Sequence, residues 1–158
     1  MPAPDSSTVL LALKNDIHAC ESLLQLLDIE RQALNERNTD LLGDVIQKKA
    51  DCLSKLESSA NQRSQWVADG AAELSQEQRW QELLSEMPEE VQNNWQKLRQ
   101  LFADCQTENE VNGKILARKE ETFGRLVKIL RGQQLSADLY TAKGSRTPDG
   151  QGQKLGEA

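Results

Sequence analysis

Leu10, Leu13, Ile17, Cys20, Leu24, Leu27 and Leu34 recur at alternating steps of three and four residues, interrupted only by Arg31. Such a seven-residue repeat keeps one seam of an α-helix turned towards a partner helix. Ser6, Ser7 or Thr8 offers cap chemistry at its start, and Arg37 with Asn38 marks its end. A second helix, capped by Thr39 or Asp40, carries a stripe of Leu42, Val45, Lys49, Cys52 or Leu53, Leu56, Ala60 and Arg63. It ends at Trp66 and Val67, where Asp69 and Gly70 favour a left-handed helix stop. The connection near 37–40 is so short that the two helices must run antiparallel, as an αα-hairpin.

Ser75 and Gln78 stand three apart as a capping box, opening a short helix with Trp80, Leu83 and Leu84. Pro88 stops it, and Glu89 and Glu90 suit the N-terminus of the next helix. From there one stripe runs to about Arg131: Val91, Trp95, Leu98, Leu101 or Phe102, Cys105, Glu108 or Asn109, Asn112, Leu116, Lys119, Phe123, Leu126 and Leu130. A helix of that length, about 64 Å, outruns the hairpin, so its end should project or bend back at Gly113 or Gly124. Beyond Gly132 the pattern fades. Residues 144–158 are too poor in apolar groups to offset chain entropy, while Leu135 and Leu139 could form a marginal amphipathic turn. The expected fold is all-α: an elongated antiparallel helical bundle over 1–131, made of a long αα-hairpin, a short helix and one very long helix. A mobile tail over 132–158 should follow, with a docking segment at about 133–142.

Composition agrees with helices. The 158 residues fit one domain, and the chain is rich in Leu, Ala, Glu, Gln, Lys and Arg, with only six aromatic side chains. The net charge of −6 argues against a nucleic-acid partner. Charge is nonetheless uneven: residues 1–113 carry 10 basic and 20 acidic side chains, and residues 114–131 carry 6 and 2. That block, Lys114, Arg118, Lys119, Arg125, Lys128 and Arg131, reads either as a solvated helix face or as a docking surface for an acidic partner. Cys20, Cys52 and Cys105 lack metal or redox spacing, and buried free thiols account for them. No signal peptide and no stretch of about 20 apolar residues is present, so a cytoplasmic protein without stable membrane insertion is expected.

Catalytic constellations are missing. His18 is the sole histidine, lies beside the seam and has no Glu three residues before it, which leaves no di-metal bundle site and no base for a nucleophile. No phosphate loop, nucleophile elbow or zinc spacing occurs, so no metal, cofactor or catalytic residue is expected. Two other features stand out. Asn109 and Asn112 put amides where the long stripe should be apolar, either fixing helix register or lining a groove that a partner helix completes. Leu135, Leu139 and Tyr140 lie on a segment without its own core, either folding back on the bundle or ordering on a partner.

At these residues the chain resembles the FlgN flagellar export chaperones. Glu30 to Leu34, Asp40 to Leu42, and Lys48 and Lys49 before Leu53 and Leu56 look like that family's first hairpin, with Arg63 in place. Asn109, Asn112 and Gly113 followed by Ile115 resemble its N..NG core, and Leu139, Tyr140 and Gly144 its C-terminal signature. The resemblance implies a cytoplasmic chaperone of the hook–filament junction proteins FlgK and FlgL, with its C-terminal region holding substrate and a tyrosine there meeting the export-gate protein FlhA. Transferred to this sequence, it makes Asn109, Asn112, Leu116, Phe123, Leu126, Leu130, Leu135 and Leu139 the candidate substrate-binding residues and Tyr140 the gate contact. Capture of a coiled-coil-like substrate segment would complete a bundle. A free homodimer is compatible with the same seams, and a self-assembling coiled-coil adaptor is the alternative reading.

Overall fold

The computed structural model describes residues 2–130, with the backbone alone at 123, 124 and 126–130. Four α-helices form it: α1 Ser6–Glu36, α2 Thr39–Trp66, α3 Gln76–Ser85 and α4 Glu89–Leu130. No strand occurs among the described residues. The fold is an all-α helical bundle, as its heptads predict. Compact packing divides the chain between Ile115 and Leu116.

The helix ends depart in part from the caps expected of the sequence. The α1 cap is Asp5, not Ser6, Ser7 or Thr8: its carboxylate accepts from the Thr8 amide at 2.7 Å and from the Ser7 hydroxyl at 2.9 Å. Hydrogen bonds from Thr8, then Ser7, hold the Asp5 carboxyl below its ordinary value. At the other end Arg37 adopts a left-handed conformation, φ 56°, and donates its amide to Leu34, while the Asn38 amide reaches Ala33. Those two bonds close a Schellman turn. Asn38 then caps α2, taking the role expected of Thr39 or Asp40, because its side chain accepts from the Leu41 amide at 3.1 Å. A single residue therefore ends one helix and starts the next, which forces the antiparallel hairpin.

Gly70 does not adopt the left-handed stop expected of it; α2 ends at Val67, φ −113°. Its smallness serves Arg79 instead. A Cβ on Gly70 would lie 2.6 Å from the Arg79 side chain, which donates to the carbonyls of Val67, Ala68 and Ala71. These carbonyls lie in the turn that follows α2, so a cation from α3 braces that connection. The capping box of α3 forms as read, with both reciprocal bonds between Ser75 and Gln78. Pro88 sits just before α4, its carbonyl accepting from Val91 and Gln92.

Ion pairs give the helix directions. Asp16 meets Arg63 and Glu30 meets Lys49, so α1 and α2 are antiparallel. Lys14 meets Glu90, Glu21 meets Lys97 and Cys105 donates to the Cys20 carbonyl, so α1 and α4 run parallel. Helix α1 thus serves two long neighbours and buries more than one seam. Val9 and Leu23 are core residues, whereas the predicted Leu10 and Leu24 are only partly buried against them. Leu13, Ile17, Cys20, Leu27, Leu56, Val67, Trp80, Leu84, Val91, Leu98 and Cys105 complete that core. Burial at about 25 cal/mol per Å² of apolar surface is the main stabilising term here. α4 remains helical through Gly113 and Gly124, its 42 residues spanning about 63 Å of helix.

Candidate functional site

Residues that break the apolar stripes meet one another around Glu30. Glu30 and Arg31 come from α1, Lys49 from α2, and Glu108, Asn109 and Asn112 from α4. Lys49 donates to both Glu30 carboxylate oxygens, at 2.9 and 3.2 Å, and to Asn109 Oδ1 at 3.0 Å. Asn112 Nδ2 donates to Glu30 Oε1 and to the Leu27 carbonyl, both at 2.8 Å. Its Oδ1 accepts from Arg31 Nε at 2.9 Å, and Arg31 also pairs with the Glu108 carboxylate. Asn112 is 2% exposed and Glu30 7%. Every strong polar atom of that amide is therefore engaged inside the protein, and the network ties α4 to both arms of the hairpin at one height.

A second buried pair lies nearer the other end of the hairpin. Asp16, 4% exposed, accepts from Arg63 and from the Ser59 hydroxyl at 2.7 Å. The Arg63 guanidinium also lies 5.7 Å from the Trp95 ring centroid, and Trp80 joins Trp95 edge-on at 5.4 Å and Trp66 in a stack at 6.4 Å. Cation–π and aromatic contacts of this kind fix orientation as well as burying area. The three thiols are free. Burial pushes the Cys20 thiol up to about 12 and raises that of Cys105, so neither offers a nucleophile near neutrality. His18 is exposed, and no cluster able to hold a metal occurs among the described residues.

Between α2 and α4 an apolar groove of about 640 Å³ lies open, with Leu23, Leu27, Leu56 and Cys105 in its lining. Leu53 and Phe102, also in the lining, are 50% and 37% exposed. Further along α4, Leu116 is 42% exposed although it continues the face of Cys105 and Asn112. Lys114, Arg118 and Arg125 are exposed, Arg125 pairing with Glu121 one turn away.

The predicted site residues thus divide. Asn112 is buried against α1, Asn109 is exposed with its side chain on Lys49, and Leu116 is surface. Phe123, Leu126 and Leu130 lie on α4, but their side chains fall outside the description. Leu135, Leu139, Tyr140 and the 133–142 segment lie outside the described residues. What sequence reasoning missed is the set of partners: Glu30, Arg31 and Lys49 around Asn112, and Asp16 with Ser59 around Arg63. The available signal was partial: Arg31, Lys49 and Glu108 interrupt the stripes of three helices with opposite charges, whereas Glu30, Asp16 and Ser59 lie off the stripes. No described helix is long and apolar enough to cross a membrane. Among known proteins, the family model described as FlgN protein matches residues 1–148. No curated protein matches the chain, and no solved structure does.

Proposed function

The chain belongs to the FlgN family of flagellar export chaperones, and we propose that it binds the hook–filament junction proteins FlgK and FlgL in the cytoplasm. It would hold them unassembled and deliver them to the export gate, a binding role with no catalytic step. The supporting observation is Leu116: it is 42% exposed and follows Asn112, the last buried residue of α4 among those whose burial is described. The docking face is assigned to Leu116, Phe123, Leu126, Leu130, Leu135 and Leu139, with Asn109 and Asn112 at its root. Tyr140 is assigned the contact with FlhA. An amphipathic substrate helix laid on this face buries its apolar anchors at i, i+3, i+4 and i+7.

Leu116→Asp tests the face, because an exposed position tolerates the charge without unfolding. Affinity for purified FlgK or FlgL should fall at least tenfold while the melting temperature holds; unchanged affinity removes Leu116 from the site. Tyr140→Ala should weaken the FlhA contact and spare substrate binding. A second reading is favoured by the open groove with Leu53 and Phe102: self-association into a coiled-coil adaptor. Light scattering separates the two, since an adaptor stays a tight oligomer when substrate is added and a chaperone exchanges into a mixed complex.

A further inference from the structure

Glycine inside a helix has two ordinary structural reasons, and Gly113 has neither. No heavy atom beyond its local surroundings lies within 4 Å of where its Cβ would stand, and its φ is not left-handed. Gly70 shows the contrast, since there an arginine side chain occupies the space of a Cβ. Apart from proline, glycine is the residue least suited to a helix interior, because it leaves the backbone the most freedom to lose. Its position is also particular. Asn112, immediately before it, is held to α1 by three hydrogen bonds and is the last buried residue of α4 among those whose burial is described. The division of compact packing follows three residues later, between Ile115 and Leu116. Past it, the described side-chain hydrogen bonds of α4 stay within the helix. One of them, from the Thr122 hydroxyl to the Arg118 carbonyl at 2.9 Å, itself weakens helical bonding.

We propose that Gly113 is a hinge built into α4, a point where the helix opens locally directly after its anchored part. The hinge lets the apolar positions from Leu116 onward adjust to a partner; that purpose rests on the chaperone reading, whereas its existence does not. Gly43 supplies the control, being a helical glycine of α2 that also has open space around its Cβ.

Amide hydrogen exchange on the full chain tests this with wild type, Gly113→Ala and Gly43→Ala. In wild type, amides 113–117 should exchange at least tenfold faster than amides 105–112. Gly113→Ala should slow them about fivefold, the factor a glycine-to-alanine helix preference allows, and Gly43→Ala should leave them unchanged. Equal protection of the two stretches in wild type overturns the hinge, as does a Gly113→Ala variant with unaltered exchange. Association with purified FlgK then reads the purpose: severalfold slower binding by Gly113→Ala supports it, and equal rates overturn it. If neither chain binds FlgK or FlgL, the chaperone reading fails while the exchange result still decides the hinge.

Discussion

Asn112→Ala removes three hydrogen bonds from the junction of α1, α2 and α4. One is a neutral bond to the Leu27 carbonyl, worth about 1 kcal/mol net, and two involve charged partners, each worth about 1.5–3 kcal/mol. The sum overstates the loss, because Glu30 keeps Lys49 and Arg31 keeps Glu108, and bonds sharing a network do not add. A destabilisation of about 3 kcal/mol is expected, together with a fall in melting temperature on the order of 10 °C. Urea unfolding followed by fluorescence reads it directly, since Trp66, Trp80 and Trp95 cluster in the same bundle. Asn112→Asp should cost more at neutral pH, because it sets a second carboxylate where an amide now lies 2.8 Å from Glu30. A change below about 0.5 kcal/mol for Asn112→Ala would refute the reasoning, since that is the scale of an ordinary surface position.

Arg37→Gly should stabilise the chain by about 0.5–1 kcal/mol, because the left-handed turn at φ 56° strains any residue with a Cβ; thermal melting checks it. Arg63→Ala should cost about 3–5 kcal/mol by leaving Asp16 buried and unpaired, and a wild-type melting temperature would contradict that. In the native protein at neutral pH, Cys20 and Cys105 should resist alkylation and become reactive only on unfolding, as mass mapping of the labelled sites would show. Because the folded Cys20 value lies above the ordinary 9.0, stability carried by its neutral thiol is whole below about 9 and declines as pH rises towards 12. Chemical unfolding at pH 8 and pH 10.5 tests the sign.

Signals that are local in sequence translated well into structure. The capping box at Ser75 and Gln78, the stop at Pro88 and the seven-residue stripes each depend on residues within a turn or two. Near misses came from competition between neighbours. Asp5 outdoes the hydroxyls beside it because a carboxylate is the stronger acceptor, and Asn38 serves both helices because only two residues, Arg37 and Asn38, separate their ends. Leu23 displaced Leu24 from the core because α1 packs on two long helices, which a single seam does not reveal. The parallel run of α1 and α4, and hence the meeting of Glu30, Lys49 and Asn112, depends on tertiary arrangement that no one-dimensional stripe encodes. The apolar positions of the proposed docking face are legible in the sequence as a stripe, of which Leu116 is 42% exposed.

The end of α4 and the segment after it are proposed to hold the substrate. Titration calorimetry of purified FlgK against the full chain and against a chain lacking 133–158 tests it most directly. A defined complex is expected with the full chain and at least a tenfold weaker one after truncation, with the melting temperature retained. Equal affinity of the two chains would contradict it.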